Sequence, residues 1–202
     1  MKGLYLVTPD WDDTARLLAV TEQALQGGVT LLQYRHKTAD ARLRRRQAEA
    51  LLQLCRAHGC PLVINDFADL CMAINADGVH VGGTDASVAQ MRALLGPEKI
   101  VGASCYGDLQ LARTARATGA SYVAFGGFYP SRVKQYPVTT AAAIVAQSRA
   151  EIALPVVVIG GMTAANAAPL IAQGADMVAA ISSVYNADDP RAAAQAFAAL
   201  FG

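Results

Sequence analysis

The chain has 202 residues, 53% of them hydrophobic and 16% charged, which suffices for one sizeable core and is too apolar for a disordered segment. Seventeen Lys and Arg against sixteen Asp and Glu leave a formal charge of +1, so no global field draws the molecule to nucleic acid or to an anionic membrane, and any anion site has to be local. No apolar run approaches the roughly 18 residues of a membrane helix.

The first apolar run is short and is followed at once by Pro9 and by Asp10, Asp12 and Asp13, unlike a secretory signal. Cys55, Cys60, Cys71 and Cys105 show no CxxC pair and no zinc-ligand spacing, so buried free thiols in a cytoplasmic protein are expected.

Taken in order, short β-branched and aliphatic runs alternate with longer segments of helical period. GLYLVTP starts at Gly3 and precedes a helical face of Leu17, Leu18, Ala24 and Leu25; VTLLQYR starts at Val29 and precedes one of Leu43, Leu51 and Leu54. PLVIND follows from Pro61, GVHVG from Gly78, KIVGAS from Lys99, SYVAFGG from Ser121, PVVVIGG from Pro155 and DMVAAISS from Asp176, and Phe197, Leu200 and Phe201 anchor the last helix. Strand then helix, eight times, predicts an α/β protein with one TIM (β/α)8 barrel domain over residues 1–202. An open doubly wound sheet is the alternative, disfavoured because no GxGxxG follows the first strand.

A finer repeat supports the barrel. The even-numbered strands open with QGGVT, ADGVH, TGASY and QGADM, in which Gly27, Gly119 and Gly174 fit helix-ending C′ positions. The third, fifth and seventh entries carry Pro61, Pro97 and Pro155 instead.

In such a barrel the active groups sit at the carboxyl ends of the strands. That places Arg35 and Lys37 after the second strand, Asn65 and Asp66 after the third, Asp85 after the fourth and Ser104 at the end of the fifth. A loop with Ser131, Arg132 and Lys134 follows the sixth, Gly160 and Gly161 the seventh, Ser182 and Ser183 the eighth. Asp66 and Asp85, on neighbouring strands roughly 5 Å apart, can share a magnesium ion whose remaining ligands are phosphate oxygens. Arg35, Lys37 and Lys134, with Arg132 as a further candidate, suit a diphosphate. The GGMT and ISS turns suit a phosphate monoester held by backbone N–H groups, although Thr163 equally fits a helix N-cap.

Other features point to structure. The run Arg42–Arg46 lies within the second helix and reads as a solvated face. His80 lies mid-strand and reads as a packed or hydrogen-bonded barrel residue, and His36 falls on the opposite side of the strand alternation from Arg35 and Lys37.

The ordered motifs LLQYRHK, VINDFADL, GVHVGGTD, VGASCY, YVAFGGFYPSRVK, PVVVIGGMT and VAAISS resemble the thiamine phosphate synthase family from the first strand to the last helix. The resemblance implies a magnesium-dependent barrel enzyme that joins hydroxymethylpyrimidine diphosphate to hydroxyethylthiazole phosphate and releases diphosphate. It implies small-molecule substrates, no nucleic-acid or membrane partner, and fixes no oligomeric state.

By motif, Gln33, Arg35 and Lys37 would border the pyrimidine and diphosphate, Asn65 would hold diphosphate, and Asp66 and Asp85 would bind Mg2+. Ser104, Ser131 and Lys134 would complete the diphosphate grip, with Lys134, Arg35 and Ser104 in the catalytic roles. Gly161, Ile181 and Ser182 would hold the thiazole phosphate.

The chain departs from the family pattern at SRVK, where Val133 stands for a usual Thr, at His36 for a common Glu and at Gly83 for a common Gln. A thiazole tautomerase, which would want a proton-transferring His near the fifth strand, and a non-catalytic regulatory relative are the rival readings.

Overall fold

The period of two along each strand sorts apolar residues into those that fill a barrel and those that meet its helices. Described by a computed structural model over residues 1–82, 87–130 and 140–202, the chain closes eight parallel strands in sequence order. They are β1 (Gly3–Val7), β2 (Val29–Tyr34), β3 (Leu62–Asn65), β4 (Gly78–Val81), β5 (Ile100–Tyr106), β6 (Tyr122–Gly126), β7 (Val156–Ile159) and β8 (Met177–Ala180). The helices between them are α1 (Thr14–Gln26), α2 (Ala41–Ala57), α3 (Ala68–Ile74), α4 (Val88–Leu95), α5 (Leu109–Ala117), α6 (Ala143–Glu151) and α7 (Ala164–Ala172). The short α8 (Ser182–Tyr185) and then α9 (Pro190–Ala198) follow β8. The expected (β/α)8 barrel is therefore the fold, and no described helix is long and apolar enough to cross a membrane.

Inside the barrel, Tyr5, Val7, Leu31, Val63, Tyr122, Ala124, Val157, Met177 and Ala179 form one buried cluster. Their sequence neighbours Leu4, Leu6, Leu32, Ile64, Val123, Val158 and Val178 point outward into a second cluster shared with the helices. Helix starts are set by side chains: Asp13, Asp40, Ser87, Asp108, Thr163 and Asp189 each accept a backbone N–H of the first turn. Each such cap contributes about 1 kcal/mol.

Helix ends depart in one place from the sequence reading. Gly119 and Gly174 follow α5 and α7 with φ of 94° and 105°, as expected. At the end of α1 the left-handed residue is Gly28, with φ 99°, whereas Gly27 is right-handed at φ −85°. Gly27 is small for another reason: a Cβ there would lie 2.5 Å from the Arg191 carbonyl oxygen on α9.

The basic run is solvated at Arg42, Arg45 and Arg46 but not throughout. Arg44 is half-buried, lies 3.7 Å over the Phe67 ring and donates to the Ala39 carbonyl, tying the β2–α2 loop to the residues after β3.

All four cysteines are buried free thiols. Burial pushes Cys71 up to about 11 and Cys105 up to about 12 from an ordinary value of 9.0. Because the folded-state values are raised, their contribution to stability is complete below 9.0 and is lost as pH rises through about 11 to about 12. The urea midpoint is thus expected to fall across that alkaline window; a midpoint that stays level would show that the thiolates are accommodated in the fold.

Candidate active site

The carboxyl end of β2 is built around a buried cation. The Thr8 hydroxyl donates to the Arg35 carbonyl and accepts from the Arg35 N–H, both at 2.8 Å, locking the ends of β1 and β2 together. Arg35 is 8% exposed, and a buried guanidinium needs a partner. Asp10 supplies it: Arg35 Nη1 lies 3.0 Å from both carboxylate oxygens, and the Lys37 backbone N–H donates to Asp10 Oδ1 at 2.9 Å. Arg35 Nε is buried without a hydrogen-bond partner among the described residues, leaving an N–H that an anion can take.

His36 faces away from this cavity, as the strand alternation indicates. Its Nδ1 accepts from the Ala39 N–H and its Nε2 lies 3.0 Å from Asp12 Oδ1. These bonds give it a structural place in the β1 and β2 exit loops.

At the end of β3, Asp66 takes a left-handed backbone, φ 65°, which is uncommon for a residue with a side chain. Its N–H donates to the His80 carbonyl on β4 at 3.0 Å, so the sheet itself holds it there. Asn65 Nδ2 donates to Asp66 Oδ2 at 2.5 Å. Backbone strain of this kind concentrates at functional sites.

A chain of hydrogen bonds crosses the barrel below these groups. Gln33 Nε2 donates to the Tyr5 hydroxyl (2.5 Å), the Tyr5 and Tyr122 hydroxyls are 2.6 Å apart, Tyr122 meets His80 Nδ1 at 2.9 Å, and His80 Nε2 meets Ser104 Oγ at 2.8 Å. Five residues from β2, β1, β6, β4 and β5 are thereby linked. Burial raises the pKa of both phenols, so they stay protonated.

The resulting cavity is lined by Gln33, Arg35, Lys37, Asn65, Asp66, His80, Ser104, Tyr106 and Ile181, with Tyr5, Val7, Ala124, Val157, Ile159 and Ala179 below. Seven predicted site residues, Gln33, Arg35, Lys37, Asn65, Asp66, Ser104 and Ile181, are therefore brought together. Gly161 and Ser182 follow β7 and β8 but are not walls of this cavity. Asp85, Ser131 and Lys134, with Gly83, Arg132 and Val133, lie outside the described residues. The sequence reading missed Tyr5, Tyr122, Tyr106 and Asp10. Alternation in GLYLV and SYVAFGG was the available signal for the first two, since it puts Tyr5 with Val7 and Tyr122 with Ala124 on the inner face.

Beyond β7, the Thr163 hydroxyl accepts from the Asn166 N–H and Asn166 caps back, so Thr163 is the N-cap of α7. Asn166 Nδ2 also donates to the Gly161 carbonyl at 2.9 Å. Gly161 has φ 65°, and a Cβ there would meet the Pro130 carbonyl oxygen at 2.3 Å. Gly161→Ala is expected to push the β6 and β7 exit loops apart and to lower the melting temperature. A melt indistinguishable from the unaltered protein would show that the two loops have room for a side chain here.

The sequence profile of the thiamine monophosphate synthase family matches residues 4–184. The chain belongs to that family. This family member is 68% identical over 201 residues to the thiamine-phosphate synthase of Janthinobacterium sp. (strain Marseille), covering 100% of this chain and 97% of the relative. It is 51% identical over 199 residues to that of Thiobacillus denitrificans, covering 98% and 94%. The solved thiamine phosphate pyrophosphorylase from Pyrococcus furiosus superposes with a TM-score of 0.85 at 30% identity, covering 98% of this chain and 95% of that one.

Proposed function

We propose that the cavity at the carboxyl ends of the strands binds hydroxymethylpyrimidine diphosphate with magnesium and transfers its pyrimidine-methyl group to hydroxyethylthiazole phosphate. As a thiamine-phosphate synthase by family, the protein is a transferase of thiamine biosynthesis. What supports this use of the cavity is the convergence of Gln33, Arg35, Lys37, Asn65, Asp66 and Ser104 on one space.

The donor set suits magnesium. Asp66 offers a hard carboxylate on a backbone fixed by β4, and magnesium is satisfied by one or two carboxylates when phosphate oxygens complete its shell. Asp66 and Asp85 would hold the ion; when bound, it would neutralise charge on the departing diphosphate. The side chains do the rest. Arg35, already oriented by Asp10, offers an Nε–H that has no partner among the described residues, Lys37 and Lys134 add point charge, and Asn65, Ser104 and Ser131 donate neutral hydrogen bonds to diphosphate oxygens.

Gln33 reads the edge of the pyrimidine, and backbone N–H groups at Gly161, Ile181 and Ser182 seat the thiazole phosphate. Departure of diphosphate leaves a pyrimidine-methyl cation that the thiazole nitrogen captures, so catalysis rests on leaving-group stabilisation and orientation, with no protein base required. The four buried free thiols suit a reducing, cytoplasmic setting.

His80 gives the tautomerase reading a specific observation, because it brings an imidazole against β5 within the cavity. Both its ring nitrogens, however, are engaged by Tyr122 and Ser104. Incubation of the purified protein with both substrates and magnesium, with diphosphate and thiamine phosphate assayed together, is expected to yield the two products in equal amounts. Isomerised thiazole phosphate without diphosphate would establish the tautomerase, and no product at all would leave a binding protein.

A further inference from the structure

The hydrogen-bond chain across the barrel can run in either of two senses, and each sense sets every link. In the sense that begins with Gln33 Nε2 donating to the Tyr5 hydroxyl, Tyr5 donates onward to Tyr122, 2.6 Å away. Tyr122, having accepted, gives its own proton to His80 Nδ1 at 2.9 Å. A neutral imidazole with an accepting Nδ1 carries its proton on Nε2, which lies 2.8 Å from Ser104 Oγ. In this sense Ser104 accepts from His80, which leaves its own O–H for the cavity that it lines.

We propose that Tyr5, Tyr122 and His80 are positioning residues that couple the hydrogen-bonding sense of Gln33, at the ring-binding side of the cavity, to that of Ser104, at the anion-binding side. The proposal rests on the function given above for the cavity. Each link allows only one direction at a time, so the two ends change sense together. With Gln33 Nε2 on Tyr5, the amide oxygen accepts from an amino group on a nitrogen heteroaromatic ring, while Ser104 donates to an anionic oxygen. A ring with the opposite edge, oxo in place of amino, asks for the flipped amide. That reverses every link, moves the His80 proton to Nδ1 and turns the Ser104 lone pairs toward the anion. One wrong group on the ring is therefore penalised at the leaving group as well.

The barrel is shaped around this chain. A Cβ on Gly102 would lie 2.1 Å from Tyr122 Cζ and 2.2 Å from its hydroxyl, so the ring reaches His80 only because β5 carries glycine at that point. Tyr122 also stacks on His80 with ring centroids 5.6 Å apart and meets Tyr5 edge-on at 5.7 Å, fixing all three rings.

Two measurements test the proposal. Nitrogen-15 NMR of histidine-labelled protein without substrate is expected to show His80 as the Nε2–H tautomer near neutral pH, and to show a mixture of tautomers in Tyr122→Phe. An Nδ1–H or doubly protonated ring in the unaltered protein, or the same ring state in Tyr122→Phe, overturns the coupling whether or not the protein turns over.

The second is a double-mutant cycle on diphosphate release. Tyr122→Phe is expected to lower kcat about tenfold in the unaltered protein but less than about twofold in a Ser104→Ala background, with the KM for thiazole phosphate unchanged, because its effect passes through Ser104. Equal losses in both backgrounds would mean that Tyr122 serves packing alone. Failure of the unaltered protein to release diphosphate would refute the proposed function, and the NMR result would still decide this proposal.

Discussion

Asp66→Asn is expected to lower magnesium-dependent turnover about 100-fold or more while leaving the barrel folded, the size of effect seen when one fixed electrostatic contact to a transition state is removed. The substitution is clean for a structural reason. Asp66 sits at φ 65°, and Asn tolerates the left-handed region at least as well as Asp, so the backbone and its bond to the His80 carbonyl can persist. Asn is also close in shape, and its amide can turn its oxygen to the Asn65 donor. What changes is the carboxylate charge. Turnover at saturating substrates, measured across a magnesium titration alongside circular dichroism, separates the two consequences. Full activity with unaltered magnesium dependence would take the metal away from this residue.

Gly78→Ala is expected to lower stability by about 2–3 kcal/mol, the upper part of the usual range for overpacking, and the melting temperature by roughly 4–12 °C for a chain of this size. Gly78 pairs with Val63 on β3 and with Ile100 on β5. A Cβ there would lie 2.0 Å from the Ile100 carbonyl oxygen and 2.7 Å from its carbonyl carbon. Those are backbone atoms of a closed barrel, which cannot swing aside as a side chain would. Relief requires β4 and β5 to separate, and His80 and Ser104 lie further along these same two strands. Activity should therefore fall with stability, and a thermal melt indistinguishable from the unaltered protein would show that the two strands have slack.

The Gly78 example shows what the sequence could and could not convey. ADGVH was legible as a strand entry, but the demand for glycine comes from the neighbouring strand, which no local pattern records. The strand ends were legible because period-two and helical runs alternate eight times, and the barrel rule then put Arg35, Asn65, Asp66 and Ser104 at one end. Their partners were not. Asp10 looked like one of three aspartates in an exit loop, and only the pairing of β1 with β2 sets it against Arg35. Tyr5 and Tyr122 meet across 117 residues of sequence through barrel closure, and this turns His80 from a packed imidazole into a link toward Ser104. Thr163, legible as an N-cap at the end of the GGMT turn, is the cap, because Asn166 three residues on completes a capping box.

The most direct measurement is a structure of the protein with magnesium and diphosphate bound. Metal on the carboxylates of Asp66 and Asp85, with diphosphate oxygens within hydrogen-bond reach of Arg35, Asn65 and Ser104, is the expected result. Diphosphate bound away from this cavity, or bound within it with Asp66 turned from the metal, would contradict the function proposed for it.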